Sequence, residues 1–396
     1  MTGAEKFGPP VEGASRPSDP TLRARDGGWL PIIGCGMLAF AAAALVMYPR
    51  LAASHFDPQV YVRYDGWFAL FLAHTLPQLD PAAADIPAYR AQRVLLSALV
   101  AVVLRLSGQQ PGLQLDAALP DTGPWAMLAV NSLAQVMGTV ALAALARRHS
   151  LSPFLGLLFG VWIGSLYVLQ MGMTELLAYA LVLWSLLFWE REKLWISAVL
   201  MAFAILTKET AALFGAALVI SLLIQRRRAT VSFVAVAFGP AVAWQLRVTS
   251  AFGITGVQAA FMAGNPGDQM TPIGAFFLPS DDPFWLVQLG WILIPSIVAV
   301  IWGAFGLRRK FDDPAAWALL LNGGFVASLP PASVECLCWS SRIGLAIITV
   351  LGWAMIRSGR GRTALAVLTV LLLPSLLFVL TGGDFGPLSA GGIESR

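Results

Sequence analysis

The chain has 396 residues, 57% of them hydrophobic and 12% charged, with a formal net charge of +4. Soluble domains carry about 25% charged residues, so this composition excludes a soluble enzyme and leaves lipid as the solvent of most side chains. The small net charge offers no field for nucleic acid, so no nucleic-acid partner is expected. The ten-residue alternation of a membrane β-barrel is absent.

Residues 1–28 are polar and rich in Gly, Pro and Ser, and read as a disordered cytoplasmic tail. The apolar run that follows is too long for a cleaved signal sequence and reads as an uncleaved anchor. A helical span needs about 20 apolar residues. Runs of that kind recur at 29–48, 125–146, 153–171, 174–189, 194–207, 211–225, 229–247, 284–306, 314–332, 342–356 and 363–381. The fold class is therefore an all-α polytopic membrane protein of about eleven transmembrane helices.

A further apolar stretch, 94–107, decides the topology. If it crosses, the basic pairs at Arg147–Arg148 and Arg191/Lys193 and the run Arg226–Arg228 fall outside, against the positive-inside rule. If it stays at the outer interface or re-enters, every basic cluster falls inside, including Arg308–Lys310 and Arg357–Arg362. The second reading places the N-terminus in the cytoplasm, the C-terminus outside and 49–124 in one large external loop carrying interfacial helices. The inner connections are short and the outer ones long, so an active site is expected on the extracytoplasmic face.

In that first loop stand Asp57 and Asp65. The pair Asp65-Gly66 reads as a turn before an amphipathic segment, Trp67–His74, on the membrane surface. A carboxylate there can take a proton from a sugar hydroxyl or hold a metal; it can equally be a solvated helix cap. Arg90 and Arg93 are three residues apart on one helix face, with Tyr64 and Gln92 as nearby polar groups. Guanidinium forks suit a phosphate, and equally suit snorkelling to lipid. Glu175 opens a span, as a site acid or a cap. Lys208 and Glu209 stand between two apolar helices with almost no loop to solvate them, where charge is costly and marks function. Arg342 enters another span from outside, free to snorkel or to reach a phosphate. His55 and His74 read as interfacial polar residues. Cys35, Cys336 and Cys338 have no metal-ligand spacing, and Cys35 reads as a packing residue in the first span. No nucleotide-binding loop or hydrolase motif is present.

Taken in order, these blocks resemble the GT-C superfamily of membrane glycosyltransferases, in particular bacterial proteins of the cell-surface glycopolymer type. The first loop of those proteins reads G-Y-D-G-Q-F-Y-Y and then Y-R-Y-Q-R-I-L-Y-P. Here Arg63-Tyr64-Asp65-Gly66-Trp67-Phe68-Ala69-Leu70 and Tyr89-Arg90-Ala91-Gln92-Arg93-Val94-Leu95-Leu96 correspond. Leu145–Pro153 looks like the exit of the family's second span, Thr174-Glu175 like its second external acid, and Leu206-Thr207-Lys208-Glu209-Thr210-Ala211 like its L-T-K/R-E-T-A turn.

The resemblance covers about 29–225. It divides the chain into a GT-C-like module, 29–247, and a variable C-terminal module, 248–396. It implies an inverting glycosyltransferase of the bacterial inner (plasma) membrane. A sugar would pass from a polyprenyl-phosphate donor to a glycan, lipid or protein acceptor. Asp65, with Asp57 in reserve, would be the catalytic acid residue. Arg90, Arg93, Lys208, Glu209, Glu175, Tyr64, Gln92 and Arg342 would bind substrate. A divalent cation (Mg or Mn) would be held, if at all, by Asp65 and Glu175. Trp67, Ala69-Leu70 and Ala91 depart from the family's Gln and Tyr positions, which implies an altered acceptor or lost activity. Two other readings stand beside this one: a transporter or flippase of a lipid-linked glycan, and a non-catalytic member of an envelope-assembly complex.

Overall fold

A computed structural model describes residues 28–62, 65–80, 86–109, 122–263, 289–329 and 337–380. The tail before Gly28, Tyr64 and Cys336 lie outside the described residues. All regular structure among the described residues is helical. Apolar segments bounded by Gly, Pro and charge form α1 (Leu30–Ala53), α5 (Thr122–Arg148), α8 (Glu175–Glu190), α9 (Leu194–Thr207), α10 (Ala212–Ile224) and α11 (Thr230–Phe252). The later ones are α13 (Ile294–Arg309), α14 (Pro314–Ala327), α15 (Leu337–Arg357) and α16 (Gly361–Leu380). Shorter helices are α2 (Asp65–Thr75), α3 (Pro87–Ala91), α4 (Val94–Leu106), α6 (Leu157–Gly160), α7 (Ile163–Met171) and α12 (Gly256–Ala263). The segment expected at 153–171 is broken: a 3₁₀ turn with α6, and then α7, meet at a 45° bend. Two side chains serve the carbonyls freed at that break. Ser165 Oγ donates to Phe159 O at 2.6 Å, and Gln135 Nε2 donates to Gly160 O.

By length and apolarity, α1, α5, α11 and Gly290–Arg309 can each cross a bilayer, and the bent pair makes a fifth. The apolar helices Val94–Leu106, Leu194–Thr207, Glu209–Ile224 and Pro314–Ala327 are shorter. The 16 residues of α8 rise about 24 Å, and its neighbours α5, α9 and α15 bury it. The helices run between two polar ends. One end gathers Glu190, His149, Arg357 and Asp313, at the last turns of α8, α5 and α15 and the first turn of α14. The other gathers Asp65, Arg93, Glu175, Lys208 and Arg342.

One expectation changes in detail. The segment after Asp65 is not an amphipathic helix lying on the surface. In α2, Ala69, Leu70, Leu72, Ala73 and His74 are buried, and the helix packs on α4 and α5. The stretch 94–107 forms α4. Arg93, just before it, meets the α9–α10 turn, and Leu104, near its end, packs beside Gly123 in the first turn of α5. Both contacts lie at the Asp65 end, so α4 runs across that end rather than through the bundle. Cys35 is fully buried, its thiol on Pro153 O at 3.4 Å, as a packing residue should be.

Where α13 meets α14 the backbones touch through small residues. A Cβ on Gly303 would stand 2.8 Å from Ala316 O and from Leu320 N, whereas one on Gly324 would meet nothing within 4 Å. Gly303→Ala should therefore cost about 1–3 kcal/mol, seen as a lower thermal midpoint in detergent. Gly324→Ala should be neutral or slightly stabilising. Equal effects from the two would contradict this packing.

Candidate active site

Asp65 opens α2 with its carboxylate buried. The turn Met171-Gly172 backs it: a Cβ on Gly66 would lie 2.5 Å from Met171 O, and Gly172, at φ 64°, presses on Tyr61 O. Only glycine meets both demands, because at Gly66 the backbone itself is the obstacle and Gly172 needs the left-handed region. These two glycines bring the first loop against the entry to α8.

Four cations converge there. Arg90 pairs with Asp65 Oδ1, Arg93 Nη1 reaches Oδ2 at 2.8 Å, and Arg342 Nη1 reaches the same oxygen at 3.2 Å. Arg93 also turns its fork on Glu209, with Nε at 2.9 Å from Oε2 and Nη2 at 2.7 Å from Oε1. Lys208 Nζ donates to Glu175 Oε1 at 2.7 Å, and Arg342 Nε lies 3.7 Å from the same atom. Among the described residues, three carboxylates (Asp65, Glu175, Glu209) face four cations (Arg90, Arg93, Lys208, Arg342). Glu175 Oε2 is buried with no hydrogen-bond partner among the described residues.

Burial by itself would raise the Asp65 carboxyl. Arg342, Arg93 and Arg90, with Lys208 behind them, overcome that and hold it well below the usual carboxylate range. Asp65 is thus a firmly ionised partner of the arginines and, in this arrangement, a weak base.

Aromatic rings support the guanidinium groups. Arg90 lies over Phe68 at 4.4 Å and Arg93 over Tyr89 at 4.5 Å, and Arg93 Nη2 also donates to the Tyr89 hydroxyl. On the far side, Gln92 Oε1 accepts from Gln245 Nε2 at 3.0 Å and Trp244 Nε1 donates to Ala91 O at 2.8 Å. These bonds tie the arginine helix to α11.

Of the residues expected from sequence, the structure brings together Asp65, Arg90, Arg93, Glu175, Lys208, Glu209 and Arg342, with Gln92 one layer behind. Asp57 stands apart: it is exposed, and its carboxylate caps the 3₁₀ turn Pro58–Tyr61 by accepting from Gln59 N at 2.8 Å. Tyr64 lies outside the described residues. Phe68, Met173 (its sulfur 3.4 Å from Arg342 Nη1), Trp244 and Gln245 were not expected. The one available signal was the polar Trp244-Gln245 pair inside an apolar span.

The donor set does not fit a divalent cation. Both Asp65 oxygens are held by guanidinium and Glu175 Oε1 by Lys208, so Mg or Mn would have to displace or sit beside these cations. Among the described residues no group of three His, Cys, Asp or Glu side chains is placed to hold a metal.

Residues 117–331 match the family model described as Glycosyltransferase family 87. That region contains Glu175, Lys208 and Glu209; Asp65, Arg90, Arg93 and Arg342 lie outside it. Among solved structures the chain is similar to ArnT from Cupriavidus metallidurans bound to undecaprenyl phosphate, at 13% identity and a TM-score of 0.46. The alignment covers 83% of this chain and 60% of that one, so the chain spans about three fifths of that structure's length. No curated protein matches the chain.

A depressed carboxyl makes a pH prediction. The Asp65 carboxylate stabilises the fold wherever it is ionised, which is everywhere above the ordinary Asp range near about 3.9. That contribution is lost only as pH falls below this range toward the lowered folded value. The thermal midpoint of Asp65→Asn should lie below that of the unaltered protein at neutral pH, and the gap should narrow only in strong acid. A gap that closes between pH 7 and 5 would contradict the three-arginine cage.

Proposed function

Because the chain belongs to glycosyltransferase family 87, a GT-C-type family, we propose that the Asp65 cluster transfers a sugar from a polyprenyl-phosphate donor to a hydroxyl acceptor at the extracytoplasmic face. The observation that carries this reading is the largely enclosed set of four cations at the ends of apolar helices, which outnumber the carboxylates among the described residues. A sugar phosphodiester bears one negative charge, which matches the surplus. The leaving phosphate gains charge as the bond to the anomeric carbon breaks, reaching about −1.5 to −2 as a monoester. Guanidinium groups fixed beforehand stabilise that developing charge more than they stabilise the donor.

The acceptor oxygen attacks the anomeric carbon, the bond to the phosphate oxygen breaks with its electron pair, and the hydroxyl proton passes to a carboxylate. A single displacement inverts the anomeric centre. Arg90 is the most exposed cation of the set, with 17% of its side chain accessible. Drawn to the donor phosphate, it leaves Asp65 Oδ1 open to take the proton. Glu175 is the second candidate acceptor, favoured by its unpartnered Oε2.

Asp65→Asn keeps the shape of the side chain and removes its basicity. Transfer from a polyprenyl-phosphate-linked sugar by the purified, folded variant should fall by about 10²–10⁴-fold, the usual contribution of a general base. Full activity in that variant would exclude Asp65 as the proton acceptor and leave Glu175→Gln as the deciding substitution. Lys208→Met should raise KM for the donor. Movement of a lipid-linked glycan across vesicles that lack acceptor, without sugar transfer, would support the transporter reading instead.

A further inference from the structure

Glu190, at the far end of α8 from Glu175, organises a second polar centre that takes no part in the proposed transfer. Its carboxylate is buried. Oε2 is 2.8 Å from His149 Nε2, and Oε1 accepts from Trp353 Nε1 at 2.8 Å and from Arg357 Nη1 at 3.3 Å. Arg148 donates to the Glu190 carbonyl at 2.7 Å, and Arg357 reaches Asp313 at 3.3 Å. These bonds join the ends of α5, α8 and α15 and the start of α14.

Above this floor lies a cavity of about 370 Å³, within the size range of small-molecule sites. Arg148, Arg227, Lys310 and Arg357 line it, together with His149 and the carboxylates Glu190, Glu192 and Asp312. Two of those acids are engaged, Glu190 as above and Asp312 with Gln225 Nε2 at 3.1 Å. Arg227 and Lys310 form no ion pair among the described residues. Leu194, the first residue of α9, also lines the cavity, and no side chain caps that helix's first turn. The helix start carries partial positive charge, which adds to that of Arg227 and Lys310 at the cavity. Arg227 and Lys310 are exposed residues, and both line this concavity.

We propose that this cavity binds a phosphate group, with Arg227 and Lys310 as its charge partners and the Glu190-held side chains as its floor. The phosphate can belong to a lipid headgroup or to a soluble compound. The position at the mouth of the helical bundle suits either source, and the test separates them.

The full chain in nanodiscs of phosphatidylcholine would be titrated with phosphatidylglycerol and, separately, with inorganic phosphate, and read by native mass spectrometry and thermal midpoint. The comparison is Arg227→Ala with Lys310→Ala against Arg226→Ala with Arg228→Ala, which removes the same charge from the same region outside the cavity lining. Saturable phosphatidylglycerol binding, weakened at least ten-fold only by the first pair, supports the site with a lipid occupant. The same pattern with inorganic phosphate and no preference for the lipid supports it with a soluble occupant. Binding that does not saturate, or that falls equally in both variants, overturns it.

Discussion

The bidentate grip of Arg93 on Glu209, made while Arg93 also holds Asp65, is the constraint on which the active end depends. It joins the loop between α1 and α5 to the turn between α9 and α10, segments 116 residues apart in sequence. Arg93 and Asp65 are buried and Glu209 is half-buried, so removing either buried partner strands charge, which in a low-dielectric interior costs several kcal/mol. The cluster therefore holds its shape as a unit. It sits where α2, α4, α8, α9 and α15 all end or begin.

Much of the architecture was legible because lipid simplifies the code. Apolar length reports a helix, and basic clusters report which ends share a side. Hence the segments expected at 194–207 and 314–332 agree with α9 and α14 to within a few residues. The bend between α6 and α7 was not legible. It rests on Gln135 and Ser165 supplying hydrogen bonds to freed carbonyls, and nothing at Val161-Trp162 announces those partners. Nor was the burial of α2 legible, since a helix of alternating bulk reads the same whether lipid or protein covers it.

The site divides in the same way. Lys208 and Glu209 could be singled out because charge at that depth needs a reason, and both prove to be paired across the cluster. Arg342 offered two readings from sequence. Only tertiary packing chooses between them, by setting its guanidinium against Asp65 and Glu175. Glu190 escaped notice altogether. It lies beside Arg191 and Lys193, where a carboxylate looks like one more member of a solvated inner turn, yet it is the most enclosed charge of that end.

The departures from the first-loop pattern of the GT-C family now take on a different meaning. Ala69, Leu70 and Ala91 stand where Tyr is usual, and all three are packing positions: Leu70 is fully enclosed, and the two alanines are buried. Trp67 stacks on Phe71 at 5.3 Å and packs against the cluster of apolar side chains that covers α2 and α4. None of the four touches the ion cluster through a polar atom, because none except Trp67 has a polar side-chain atom to offer. The substitutions exchange hydroxyl groups for apolar contact around the site and leave its charge set whole. Replacing a set such as Asp65, three arginines and a lysine with apolar residues is commonly neutral or stabilising, so stability alone does not account for these enclosed charges. The charged set is therefore whole in this chain, and the departures from the family pattern lie in the apolar packing behind it.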